Sequence, residues 1–258
     1  MDLGLAGQKV IVTAGAAGIG LSIARGFVRE GARVMVCDVD SKALSRLSQS
    51  DPDILQAQCD VSDRSAVVSF MGDAIATLGG LDTLVNNAGN AGPTGAVADI
   101  PPEEWDRCLA VCLTGQFNVT RHAIDALRGS ERASIINLSS AAGRLGFALR
   151  TPYATAKWGV IGFTKSLAIE LGPDNIRVNA VLPGLVSGDR QRRVLEAKAQ
   201  RLGKTYAEVE ETAFSYTSIR DYVTPEQIAD QIVFLASDRG KTISGQSISV
   251  CGNTQMLT

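Results

Sequence analysis

A metal centre is the first thing this sequence lacks the means to build. It holds one histidine, His122, and five cysteines (Cys37, Cys59, Cys108, Cys112 and Cys251) scattered through apolar runs. Cys108 and Cys112 stand four apart on one predicted helix, but no second thiol pair accompanies them, so a zinc site has too few ligands. Reduced, buried thiols are the expectation. Missing too is any polybasic run: 25 Lys and Arg against 27 Asp and Glu leave a formal charge of −2. Nothing there neutralises a row of phosphates or holds an anionic membrane surface, so neither nucleic acid nor membrane is expected as a partner. No stretch approaches the ~20 apolar residues of a bilayer span. The opening MDLGLAGQKVIVTAG has no basic segment followed by an apolar run and cleavage site, which gives a cytoplasmic expectation. No Pro-, Gly- or Ser-rich linker divides the chain either. Residues 1–258 are read as one domain whose 45% apolar content is ample for a continuous core.

What is present is a rhythm. Short β-branched runs recur at Lys9–Thr13, Arg33–Asp38, Leu84–Ala88, Ser134–Ser139, Arg177–Pro183 and Ser247–Gly252, with a weaker one at Leu55–Asp60. Between them lie segments of helical period, including Gly20–Glu30, Arg64–Leu78, Trp105–Leu127, Tyr153–Leu171 and Pro225–Ser237. That alternation predicts an α/β fold, a parallel sheet with helices on both faces. The largest irregularity is the polar stretch from Val186 to Val223, placed after a strand's carboxyl end, where such proteins build substrate lids.

Two constellations carry chemistry. VTAGAAGIG follows the first strand and opens the first helix, with Gly15, Gly18 and Gly20 where a Cβ would block backbone from a pyrophosphate. Asp38 ends the second strand 18 residues after Gly20, placed to accept hydrogen bonds from both adenosine ribose hydroxyls. Its charge repels a 2′-phosphate, and neither Ala16, Ala17 nor Val39 supplies an offsetting cation, so NAD is favoured over NADP. At the other end, YATAK sets Tyr153 and Lys157 four apart on one helix face. A phenol near pKa ~10 is a poor base at neutral pH, and a neighbouring ammonium favours its phenolate.

With these parts in order, and with CDV at Cys59–Val61, NNAG at Asn86–Gly89, NLSS ending in Ser140 and RVNAVLPG ending in Gly184, the chain resembles the short-chain dehydrogenase/reductase family. The resemblance covers essentially the whole chain and implies a Rossmann-type doubly wound sheet. It implies Tyr153 as general acid/base, Ser140 on the substrate oxygen, and Lys157 holding the nicotinamide ribose while lowering the tyrosine pKa. Gly15, Gly18, Ile19 and Gly20 would hold the pyrophosphate. Asp60 and Val61 would flank the adenine; Asn87, Ala88 and Gly89 would line the cofactor; and Pro183, Gly184 and Val186 would approach the nicotinamide. A homotetramer built on the two long helices is also implied.

The chain departs from the family pattern at four places. Ala14 follows Thr13 where the family has glycine. Gly188 occupies the place of a threonine that contacts the carboxamide, with Ser187 beside it as a substitute. Cys251 stands where aspartate is common, in a region associated with subunit contacts. Cys112 replaces the asparagine whose bound water completes the proton relay, and a thiol is a weak donor and acceptor. Three readings of Cys112 stay open: packing, altered catalysis, and a redox-sensitive thiol.

His122 is given no role, and Trp158 is read as packing between helices or subunits. Arg190, Arg192 and Arg193, with Arg150, either recognise an anionic substrate group or belong to solvated helix faces. The expected function is an NAD-dependent dehydrogenase interconverting a secondary alcohol and its ketone. The alternatives are a dinucleotide-binding sensor or subunit partner with weak chemistry, and a 3-oxoacyl thioester reductase.

Overall fold

Buried apolar strands set the architecture of the computed structural model, which describes residues 2–257. The strands are β1 (Lys9–Thr13), β2 (Arg33–Asp38), β3 (Leu55–Gln58), β4 (Thr83–Asn86), β5 (Ser134–Leu138), β6 (Arg177–Pro183) and β7 (Ser247–Val250). They form one parallel seven-stranded sheet in the order β3-β2-β1-β4-β5-β6-β7. Central strands β4 and β5 are buried along their whole length, which is why they show no alternation of apolar and charged positions. The strand order reverses between β1 and β4, and ligands of open α/β sheets bind outside the strand ends at that point.

Helices cover both faces. On one side α1 (Gly18–Arg29), α2 (Ser41–Ser50) and α9 (Pro225–Ala236) bury Phe27, Leu47 and Ile232 with Val10, Val12 and Val36 of the sheet. On the other, α3 (Arg64–Leu78), α5 (Gly115–Arg128) and α6 (Thr151–Leu171) bury Phe70, Leu127 and Leu171 with Ile11, Leu84 and Ile135. The predicted doubly wound parallel sheet is therefore the observed fold.

Three sequence expectations change in detail. The helix read as continuous from Trp105 to Leu127 consists of α4 (Pro102–Leu109), a π-helical turn at Ala110–Thr114, and α5. Such a turn takes in an extra residue while keeping the chain helical, so the hydrophobic period hardly registers it. The polar stretch from Val186 to Val223 is not irregular: it folds into α7 (Asp189–Leu202) and α8 (Tyr206–Ser215), packed through Leu195, Ala199 and Val209. A capping box between Thr205 and Glu208 starts α8. Helix α2, absent from the segments read as helical, is capped by Asp40, which accepts from the Lys42 and Ala43 amides at 2.9 and 3.1 Å.

A chain of buried polar side chains crosses the sheet beneath the site. Asn86 Nδ2 donates to Thr120 Oγ1 and to Asn137 Oδ1, both at 2.9 Å. Asn137 Nδ2 donates to Thr164 Oγ1 at 3.0 Å, whose hydroxyl donates to Val160 O at 2.8 Å. These contacts fix α5 and α6 against β4 and β5 in one register, because each broken link leaves a buried polar group without water to replace it. Asn137→Ala is expected to cost roughly 2 kcal/mol of unfolding free energy, measured from the denaturant midpoint. A variant as stable as wild type would show that the chain is dispensable.

Candidate active site

The turn after β1 is shaped by crowding from three directions. A Cβ on Gly15 would lie 2.6 Å from the Val36 side chain of β2. One on Gly20 would overlap the Ala14 carbonyl oxygen and come within 2.6 Å of Asn87 Nδ2. Gly18 meets no neighbour but has φ +53°, a left-handed conformation that glycine adopts freely. Ala14 has the same handedness, φ +50°, although it carries a Cβ. The family's glycine at that position thus has a physical counterpart here as backbone strain.

The turn is clamped by the loop after β4. Asn87 Nδ2 donates to the Thr13 and Ala14 carbonyls at 3.0 Å each, and Thr13 Oγ1 accepts from the Asn87 and Ala88 amides at 3.0 Å. Helix α1 opens with no side-chain cap and no acidic residue in its first turn, which leaves its amino end open to an anion. Asp38, half-buried beside it, accepts from the Ala16 and Asp40 amides at 3.2 and 3.1 Å. Its carboxylate has lone pairs to spare for hydroxyl donors. A glycine cradle, an open helix end and a carboxylate one strand away fit a dinucleotide.

Across the cavity, α6 supplies Tyr153 and Lys157. Lys157 is 3% exposed, and its Nζ donates to Leu138 O at 2.7 Å and lies 5.7 Å from the Tyr153 ring centroid. Its own carbonyl accepts from Ser139 Oγ at 2.8 Å, tying the Tyr153–Lys157 turn of α6 to the end of β5. Ser140 Oγ accepts from the Ala142 amide at 3.1 Å and caps a short 3₁₀ turn.

Cys112 sits in the π turn, fully buried, with Sγ 3.5 Å from Asn90 O and 3.6 Å from Asn90 Oδ1. A Cβ placed on Gly89 would lie 3.5 Å from both Cys112 Sγ and Lys157 Nζ, so thiol and ammonium flank the same backbone. The Cys108 thiol and, less strongly, the Lys157 ammonium hold Cys112 below its ordinary thiol range against the effect of burial. Cys108 moves the other way through the same contact. Cys112 therefore packs next to Lys157 rather than at the surface, and it is shut off from bulk reagents.

A cavity of about 630 Å³ gathers Gly18, Ile19, Gly20, Asp38, Asn87, Gly89, Ser140, Tyr153, Lys157, Pro183, Gly184 and Val186 on one wall system. Gly15, Asp60, Val61 and Ala88 are not on it. Gly15 packs on Val36, and Ala88 donates to Thr13. Asp60 accepts from the Ser62 amide and hydroxyl at 2.9 and 2.6 Å, while the Val61 carbonyl accepts from Asn118 Nδ2 at 3.0 Å. Gly188 has φ +132°, which explains glycine there in place of threonine, and Ser187 does line the cavity. Cys251 is 7% exposed and packs on Gly184, whose added Cβ would lie 2.7 Å from the Cys251 Cα. His122 is off the cavity, and Trp158 is exposed on α6. Among the described residues no three His, Cys, Asp or Glu side chains cluster as a metal would require.

Sequence reasoning missed Ser139, Thr13 and Lys198. The hydroxyls of the first two bind backbone atoms of distant residues, partners that residue identity does not record, and Lys198 reaches the wall only because α7 folds over it. Arg150 was legible only as a weak candidate.

Comparisons with known proteins agree with this geometry. A family model described as enoyl-(acyl carrier protein) reductase matches residues 14–252. A monensin polyketide synthase putative ketoacyl reductase of Streptomyces virginiae is 36% identical over 251 residues, 95% of this chain and 96% of that one. The crystal structure of an actinorhodin polyketide ketoreductase with NADPH superposes with TM-score 0.89 at 32% identity, covering 96% of this chain and 97% of that one. An NAD+-bound xylitol dehydrogenase superposes with TM-score 0.92 at 27% identity, covering 96% and 99%.

The strained Ala14 yields a test. Ala14→Gly removes a left-handed Cβ penalty of roughly 1 kcal/mol, offset in part by the extra freedom glycine has in the unfolded chain. A higher denaturant midpoint is expected, and a lower one would mean that the Cβ makes a contact worth more than its strain.

Proposed function

The chain belongs to the short-chain dehydrogenase/reductase family, and from that premise we propose that this oxidoreductase is an NAD-dependent dehydrogenase interconverting a secondary alcohol and its ketone. The observation that carries the reading is the buried Lys157 ammonium beside the Tyr153 ring, with Ser140 on the same cavity. Tyr153, with the Lys157 ammonium beside its ring, takes the alcohol proton, while Ser140 orients the same oxygen by a hydrogen bond. A bound dinucleotide supplies the acceptor for the hydride leaving that carbon. Gly18, Ile19 and Gly20 with the open start of α1 hold the pyrophosphate, and Asn87, Gly89, Pro183, Gly184 and Val186 enclose the nicotinamide half. Gly15 and Ala88 act behind this surface by keeping the turn and loop in place.

Solved relatives hold either NADPH or NAD+, so local residues decide the cofactor here. Support for NAD comes from Asp38 on the cavity wall and from the absence of a cation at Ala14, Gly15, Ala16, Ala17 or Val39. Reduction of a 3-oxoacyl thioester is the second reading, favoured by the name of the Streptomyces virginiae relative.

Residues 186–223 form a substrate lid in this proposal. Arg190 supports it by bridging from α7 to the β4 loop, donating to Gly89 O at 3.1 Å and Asn90 O at 2.6 Å. A homotetramer is proposed on the exposed Phe117 of α5 and Trp158 and Ile169 of α6, large apolar groups on neighbouring helices. A cytoplasmic location accords with the burial of all five free thiols.

Tyr153→Phe is expected to lower turnover ~100- to 10,000-fold while NADH affinity, read by fluorescence titration, holds. Undiminished turnover would remove Tyr153 as the base, and tight NADH binding by wild type without turnover of any alcohol would leave the sensor reading. Wild type is further expected to prefer NAD over NADP by more than about ten-fold in kcat/KM, with Asp38→Ala narrowing the gap. A preference for NADP, with turnover of oxoacyl thioesters, would install the second reading.

A further inference from the structure

The cavity wall beyond Tyr153 is cationic, and the proposed chemistry does not use that charge. Arg150, Arg190, Arg193 and Lys198 all line it. None of the four pairs with a carboxylate among the described residues, where Arg192 and Arg201 do, with Glu196 and Asp99. The acidic residues on the wall are Asp38, bound to backbone amides at the end of β2, and Asp189, whose field acts on Arg192.

Arg150 is the informative member. It is 4% exposed, yet its Nε has no hydrogen-bond partner. Nη2 donates to Ala91 O, and Cζ lies 5.2 Å from the Phe147 ring centroid and 5.3 Å from that of Tyr153. The aromatic rings hold the guanidinium in place while a buried donor beside the reactive tyrosine is left unsatisfied, an arrangement that costs stability unless something accepts from it. A second cation makes the cost larger. Lys198 of α7 is held below the ordinary lysine range by burial and then by the like charge of Arg150, and Arg150 itself is lowered chiefly by burial. Two partly desolvated cations that face one cavity, neither paired with a carboxylate among the described residues, form a site that an anion would complete.

We propose that this end of the cavity is a carboxylate-binding subsite, and that the substrate is a short hydroxy or oxo acid held by Arg150 and Lys198. Arg193 stands at the rim of the same wall. The Arg150 guanidinium lies against the ring of Tyr153 itself, so an acid group held there is within a few bonds of the reacting carbon. Arginine suits this task because its planar fork can meet both oxygens of a carboxylate. Lys198 comes from α7, so the lid that covers the substrate also brings a charge to it. The inference rests on Tyr153 being the acid/base, and it names the class of alcohol that reaches it.

The test uses binding rather than turnover. With NADH already bound, a hydroxy acid cannot be oxidised, so calorimetric titration of the enzyme–NADH complex reads affinity alone. The probes are 2-hydroxybutanoate and 3-hydroxybutanoate, each against its methyl ester at fixed ionic strength. At least one acid is expected to bind about ten-fold or more tightly than its ester. The difference should shrink to about two- or three-fold in Lys198→Met and in Arg150→Lys, the latter keeping charge but losing the fork, with NADH affinity as the check on folding. Equal affinity of acid and ester, no binding of either acid, or an acid preference unchanged in a folded Lys198→Met would each overturn the subsite. Failure of the dehydrogenase reading looks different: acid binding would persist while wild type oxidised no alcohol with NAD.

Discussion

The site is organised around Lys157, a buried ammonium with no carboxylate partner among the described residues. Lys157 Nζ is held by the carbonyl of Leu138, the last residue of β5, so its position depends on where that strand ends relative to α6. Ser139, the next residue, binds the Lys157 carbonyl in return. A side chain at Gly143 would meet both the Ser139 hydroxyl and the Lys157 carbonyl, so the absence of a Cβ there permits the close approach. A buried ammonium with one hydrogen-bond acceptor among the described residues is costly to hold.

The dinucleotide end follows a different rule, exclusion of side-chain volume. Gly15 and Gly20 are confined by Val36 and by Ala14 with Asn87, and the loop bearing Asn87 is fixed in turn by Thr13. These contacts join β1, β2 and β4 at the point where the sheet changes direction. The turn is rigid because its neighbours leave it one conformation, including a left-handed Ala14 that isolated alanine would avoid. Strain is tolerated where several hydrogen bonds over-determine the backbone.

Between these two ends lies Cys112. In its π turn the thiol faces Asn90 and shares Gly89 with Lys157. The lysine's surroundings are thus less polar than an amide at that position would make them, and they hold more closely packed sulfur. Arg190 reaches the same two residues, Gly89 and Asn90, from α7. The loop after β4 consequently touches the glycine turn, the π turn and helix α7.

The sequence by itself determined the layered fold, the cofactor turn and the tyrosine–lysine helix, because these depend on local chemistry: apolar runs of strand length, glycines where volume is excluded, two functional groups one helical turn apart. It also carried Asp38, whose place at a strand end follows from the strand's own boundary. Tertiary structure alone decided the rest. That residues 189–202 are a helix over the cavity, and that Arg150 and Lys198 share a wall 48 positions apart, are consequences of how elements meet. Hydrogen bonds to backbone carbonyls, such as Lys157 to Leu138 and Arg190 to Gly89, leave no trace in residue identity, since every residue offers the same carbonyl. Such contacts exist only once the chain has closed on itself.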